Sequence, residues 1–219
     1  EDIGLNPINE RSEDPYFQSF KLIKRKWGGV ALSVGGFTFK DRVDIVYIGD
    51  TPESYGENIR LKFAGFGREE DYRQMDLGNK GIVILLPDND SNWDDMVTRA
   101  ESNGIPYVFI VYGNSDEALE KIIPFYNNFR RGIRFESKDN SSGNKAEVFL
   151  ITTGTAERIF DTSIKKLKST TKKAEKGKYK SINKIPEVEG IAEVEGTQEN
   201  FETQNVIGFV EGLENPEEV

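Results

Sequence analysis

Two short runs of the chain are apolar almost without a break, Gly81-Ile82-Val83-Ile84-Leu85-Leu86 and Ile105 to Tyr112. Runs of this kind, rich in β-branched and aromatic residues, mark strands covered on both faces, so both are expected inside one sheet. Between them, Ser91 or Asn92 is placed to cap a helix whose first turn holds Asp94 and Asp95, and Asn103-Gly104 supplies its stop. Roughly twenty residues separate the two runs, and a parallel crossover needs about a dozen or more, so the pattern predicts a β-α-β unit. After a polar, irregular start over 1–14, alternation from Tyr16 to Leu22 predicts a strand. A second is predicted over Val43 to Ile48, ended by Gly49-Asp50-Thr51-Pro52. Downstream, Ser115 can cap a helix with Leu119, Ile122, Ile123 and Tyr126 on one face, which Pro124 kinks or ends. The basic residues Arg130, Arg131 and Arg134, a turn over Asp139 to Asn144 and a strand from Ala146 to Ile151 follow. One helix opening at Thr155-Ala156-Glu157 then buries Ile159, Phe160, Ile164 and Leu167, and strands are expected over Val188 to Gly196 and Asn205 to Gly212. The sum is a mixed α/β domain.

The order of parts ahead of the first buried run is distinctive. Phe63-Ala64-Gly65-Phe66-Gly67 is followed by Asp71-Tyr72, then Asp76-Leu77, then Gly78-Asn79-Lys80-Gly81 and the strand itself. This series resembles the protease-associated domain of exported zinc aminopeptidases, in the transferrin-receptor and glutamate-carboxypeptidase-like metallopeptidase family. There an aromatic-glycine strand precedes an Asp-Tyr, Asp-Leu and Gly-Lys series. Phe66 stands where the family has tyrosine, and Asn79-Lys80-Gly81 departs from its Lys-Gly-Lys. A second likeness lies at Thr203-Gln204-Asn205-Val206-Ile207-Gly208 with Gly212, which resembles the first strand of the family's catalytic domain. The resemblance implies a swivelling β/β/α arrangement, two sheets with helices packed on one side. It also implies three regions: lead-in strands over 1–60, a protease-associated core over 61–186, and over 187–219 a linker with the first strands of a peptidase domain not contained in the chain. Whether 187–219 pair instead with the small domain or with a neighbour is left open.

Composition narrows the chemistry. The 219 residues are 36% hydrophobic and 31% charged, enough for one good core or two small ones. Cysteine and histidine are both absent. Their absence excludes disulfides, thiolate catalysis, cysteine-ligated zinc, and the imidazole of histidine-assisted nucleophiles and of most catalytic zinc sites. The net charge of −9 argues against nucleic acid as the main partner. No apolar run approaches the ~20 residues of a membrane span. Glu1-Asp2-Ile3-Gly4 has no signal-peptide character, so an exported parent is expected to have lost its leader.

Four stretches invite chemical readings. The glycine pairs of 28–37 match neither phosphate-binding fingerprint and are expected as turns flanking a short strand. Asp88 to Asp94 opens like a calcium loop, but Trp93 stands where glycine is needed and Arg99 where a bidentate glutamate is needed, so a capping turn is expected. Between Lys165 and Lys184 there are nine lysines, one acid (Glu175) and one aromatic (Tyr179). A nucleic-acid or anionic-surface patch is one reading; the exposed end of a helix running into a mobile loop is the other, preferred because a stacking platform would interleave aromatics and arginines. Asp71, Asp76, Asp94 and Asp95 are the candidates for a carboxylate-based hydrolase, which would need two carboxylates facing each other at about 5 to 9 Å.

The expectation is therefore a chain with no catalytic, cofactor-binding or metal-binding residue of its own. The family implies two zinc ions, held by histidine and carboxylates of the missing peptidase domain. The implied role is extracytoplasmic, periplasmic or at the cell surface: a lid or wall that shapes which peptide ends reach that zinc. Its partners would be the peptidase domain and, through it, peptide substrate. The alternatives are a free-standing protein- or glycan-interaction module and the carboxylate-based hydrolase.

Overall fold

A computed structural model describes residues 6–7, 16–49, 54–73, 75–76, 80–87, 93–113, 115–129, 133–135 and 145–209. In chain order the strands are β1 (Asn6–Pro7), β2 (Phe17–Val34), β3 (Phe37–Lys40), β4 (Ile45–Tyr47) and β5 (Tyr55–Phe63). Helix α1 (Glu69–Tyr72), β6 (Lys80–Leu85), α2 (Asp94–Ser102), β7 (Tyr107–Val111), α3 (Glu117–Phe129) and β8 (Ile133–Phe135) come next. The series closes with β9 (Glu147–Ile151), α4 (Thr153–Phe160), α5 (Ile164–Glu175), a 3-10 helix (Tyr179–Lys184), β10 (Val188–Val206) and β11 (Gly208–Phe209). The chain divides into two compact units. One comprises 1–24, 133–139 and 199–219, the other 25–132 and 140–198.

The larger unit is a mixed α/β sandwich around a sheet of strand order β3-β2-β10-β5-β6-β7-β9-β4. Strands β5, β6, β7 and β9 run parallel, and β10, β4 and the β2–β3 hairpin join antiparallel. The predicted β-α-β unit is β6-α2-β7. Register sorts its apolar runs into two rows: Phe63, Val83, Phe109 and Phe149 lie side by side on one face, and Ile82, Val108 and Val148 on the other. Phe109 and Phe149 stack at 4.6 Å. Helices cover both faces rather than the one side implied by the family resemblance. Met96 and Ala100 of α2 and Leu119 of α3 close one face; Ala156, Ile159 and Phe160 of α4, Leu167 of α5 and Ile182 close the other. Each large side chain fully buried this way contributes about 2 kcal/mol, which is why these runs carry almost no polar residue.

Several elements differ from the sequence pattern. β2 is continuous through Gly28-Gly29, which are therefore not a turn. The carboxylate of Glu195 leans on the strand there, accepting a hydrogen bond from Gly29 N at 3.1 Å, and a Cβ at Gly28 would lie 2.7 Å from it. Gly35-Gly36, both at positive φ, do make the turn to β3. The single helix expected from Thr155 is two. Asp161 at φ 45° ends α4 in the left-handed region, and the Ser163 side chain accepts from Lys166 N to start α5. Pro124 lies within α3 and does not end it. Trp93 occupies the N-cap of α2 with no side-chain capping bond, while Asn103-Gly104 ends that helix as expected. Asn6 and Pro7 pair with β11 instead of being irregular. Val188–Val194 resolve the open pairing question by joining β5 antiparallel, with Ala192 and Val194 buried. Residues 50–52, Leu77-Gly78-Asn79, 88–92, Arg130, Arg131 and the 139–144 turn lie outside the described residues.

The smaller unit is a ribbon. Leu22–Lys24 pair with β8, Gln204 donates to Ser19, and Lys24 approaches Glu199 at 3.9 Å. None of residues 16–24, 133 or 199–207 is fully buried, and Phe17, Ile133, Phe201 and Val206 are exposed.

Candidate functional site

The residues that carry the family resemblance converge on the loop leaving β5. Gly65 and Gly67 have φ of 60° and 62°, a region that costs any L side chain strain. Space forbids a side chain as well. A Cβ on Gly65 would lie 2.9 Å from Ile182 Cδ1 and 3.3 Å from Asp71 Oδ2; one on Gly67 would lie 2.8 Å from Tyr72 Oη and 3.0 Å from Ile84 Cγ2. The loop is tied to β6 by Ala64 N donating to Val83 O at 2.9 Å and Leu85 N donating to Gly65 O at 2.8 Å. Arg99 of α2 donates from Nε to Gly67 O at 3.1 Å. On the opposite side Arg68 reaches Glu175 of α5 at 2.7 Å and lies over the Phe66 ring. One five-residue turn thus clamps the helices of both layers to the centre of the sheet.

Asp71 and Tyr72 serve the same turn. Asp71 is buried and accepts a hydrogen bond from Arg68 N at 3.1 Å. Burial pushes its carboxyl above the usual range, offset in part by the Arg68 and Phe66 amides and the Arg68 guanidinium. Tyr72 is buried beneath Gly67, and its hydroxyl has no hydrogen-bond partner among the described residues. Burial lifts this phenol well above its ordinary value, and the Arg99 charge opposes the shift.

Asp76 and Lys80 belong to a second cluster. Lys80 Nζ, on a side chain only 3% exposed, is 3.0 Å from both Asp76 Oδ2 and Glu187 Oε1, and Lys62 reaches Glu187 at 3.3 Å. Burial alone would lower the Lys80 pKa, but hydrogen bonds to the two carboxylates outweigh it and leave the ammonium above its ordinary value. Glu187 is held below the ordinary carboxylate range, first by the Lys80 hydrogen bond and then, against the effect of burial, by Lys62. A third cluster lies at the starts of the parallel strands. Tyr47 donates to Glu147, Tyr55 packs 6.3 Å from Tyr107, and burial together with Glu57 pushes the Tyr107 phenol up to about 12. Burial shifts Tyr55 upward further still. At the other strand ends Asp116 accepts from Gly154 N at 2.8 Å and Thr153 Oγ1 at 2.9 Å, fixing the start of α4. The Gly154 amide keeps its carboxyl below the usual range despite some burial. A groove of about 950 Å³ nearby is lined by Phe37, Asp116, Arg158, Asp161 and Glu189.

The four acids considered for hydrolysis are therefore engaged in separate places. Asp71 holds a turn, Asp76 pairs with Lys80, and Asp94 and Asp95 stand exposed in the first turn of α2. Arg99, the residue at the would-be twelfth calcium position, is committed to Gly67. Among the described residues no group of three or more histidine, cysteine, aspartate or glutamate side chains is placed to hold a metal ion. Among them, too, no helix is long and apolar enough to cross a membrane. Sequence reading found the glycine loop, Asp71 and Asp76, but not Glu187, Glu175 or the tyrosine cluster. Their partners lie about 50 to 107 residues away along the chain, a separation that leaves no local pattern.

No family model and no curated protein matches the chain. Among solved structures it is similar to an aminopeptidase from Aneurinibacillus sp. strain AM-1, at 17% identity and TM-score 0.48, over 88% of this chain and 37% of that one. A zinc aminopeptidase from Bacillus subtilis is similar at 18% identity and TM-score 0.42, over 88% and 36%. A peptidase M28 precursor from Shewanella amazonensis SB2B is similar at 11% identity and TM-score 0.38, over 93% and 46%. The chain spans less than half the length of each.

Proposed function

We propose that this chain is a protease-associated domain that acts as a catalytically silent wall beside the cleft of a zinc aminopeptidase, governing which peptide ends enter. The observation that carries the reading is the glycine turn. Phe63 to Gly67, Asp71-Tyr72 and Asp76 with Lys80 are the residues of the resemblance; the first two sets build the turn, and Asp76 with Lys80 forms a separate ion-pair cluster with Glu187. Carboxylates committed to backbone amides and ion pairs, and a phenol buried beneath a backbone turn, are poor acid-base catalysts, because a catalyst must keep its proton-transfer atom open to substrate. The exposed apolar side chains of the smaller unit are the kind of surface that a further domain covers. On this reading the peptidase domain and its zinc lie outside the chain, the protein works outside the cytoplasm, and peptide is met only through that domain. The test is whether the purified chain releases amino acids from peptides when supplied with zinc. The expected result is none.

A further inference from the structure

The lysine-rich stretch is neither helix end nor loose loop. α5 and the 3-10 helix carry it, and Leu167, Thr171, Ala174 and Ile182 bury its inner side against the core. Eight of the nine lysines are therefore exposed on a fixed support, in a chain whose net charge is −9. Glu175, the single acid among them, is held by Arg68 at 2.7 Å. Two grooves, of about 570 and 590 Å³, flank α5; Lys165 and Lys173 line both, Lys184 lines the first, and Lys172 and Lys176 line the second.

The residue types and their spacing identify the partner. With no arginine in the stretch there is no planar fork for bidentate phosphate or guanine recognition. Tyr179, its one aromatic, is packed against the core, so no platform for stacked bases exists there. No large apolar side chain is exposed between 164 and 186, which removes the anchor that an interfacial helix uses on lipid. The exposed Lys172 and Lys176 stand four residues apart, a rise of about 6 Å along a helix. Alternate side chains of an extended peptide repeat at about 6.6 Å, nearly the same interval. A short acidic segment would feel this local field, whereas a long polyanion would also meet the net negative charge of the whole chain. We propose that this face of α5 docks an extended peptide segment bearing Glu or Asp at alternate positions. The inference does not rest on the role proposed above.

Fluorescence anisotropy of labelled peptides on the whole chain tests it. One probe alternates Glu with Ser, and its isomer gathers the same glutamates into a block. The alternating probe is expected to bind at low salt, and Lys172→Glu with Lys176→Glu is expected to weaken it by about tenfold or more, since opposed charges become like charges within a Debye length. Lys121→Glu with Lys145→Glu makes the same change in net charge elsewhere on the surface and is expected to alter affinity less than about threefold. All four lysines are exposed, and circular dichroism verifies that each variant is folded. Equal binding of the block isomer would overturn the proposal, as would a single-stranded oligonucleotide or phosphatidylglycerol vesicles binding as well as the alternating probe, or no binding of the alternating probe.

Discussion

At the scale of single residues, the glycine turn makes a sharp prediction because two positions at similar φ differ only in their surroundings. Gly35 at φ 58° has nothing within 4 Å of a would-be Cβ, whereas Gly67 at φ 62° has Tyr72 Oη at 2.8 Å. Alanine at Gly35 is expected to cost about 1 kcal/mol of left-handed strain. At Gly67 the added collision should raise the cost to about 2–3 kcal/mol, measured by urea unfolding. The Lys80 cluster predicts a pH dependence. Glu187→Gln leaves a buried ammonium short of one carboxylate and should cost about 1–3 kcal/mol near neutral pH. Because the folded-state pKa of Glu187 is depressed, its contribution is present above the unfolded value and vanishes as pH falls through the folded one. Lys80 is shifted the other way, so the ammonium side of the pair persists up to the ordinary lysine value and is lost as pH rises through the folded one. The difference between wild type and variant should then be flat from about pH 5 to pH 10 and shrink outside that window. The glycines of this turn were legible in the sequence as a loop. That they touch α5 and the 3-10 helix was not, since Ile182 and Thr171 are more than a hundred residues distant.

At the scale of elements, period and composition identified the buried strands and the β-α-β unit because both faces of β6 and β7 are covered, which leaves no polar residue beyond Lys80 and Tyr107 at their starts. Reading failed where a side chain from elsewhere changed the meaning of a local signal. Gly28-Gly29 resembles a turn until Glu195 is seen beside it, and nothing near Asp161 marks a residue about to take φ 45°. The two halves of β2 and of β10 also differ from each other. Val30, Leu32, Ala192 and Val194 are buried, whereas no described residue of 17–24 or 199–206 is. Amide hydrogen exchange is expected to be slower by about two orders of magnitude or more in Ile82–Leu85, Val108–Val111 and Phe149–Ile151 than in 17–24 and 199–206. Equal protection in the two sets would mean that the ribbon has a core of its own.

For the molecule as a whole, the sequence conveyed the mixed α/β class, but not that helices close both faces. The buried side of α4 and α5 was legible, but nothing in its local pattern says which face of the sheet it covers. What the whole chain lacks was legible from composition alone: without imidazole or thiol, zinc chemistry would have to be built from carboxylates. The acids weighed for a carboxylate-based hydrolase hold a turn, pair with Lys80, or stand exposed on α2. On the proposed reading, the chain shapes a peptidase cleft without performing its chemistry. The most direct test of that reading is to incubate the purified chain with zinc and with aminoacyl p-nitroanilides and short peptides, following release against zinc in buffer alone. The account predicts no release above that background. Turnover that requires the chain, disappears with a chelator and falls in Asp71→Asn would contradict it.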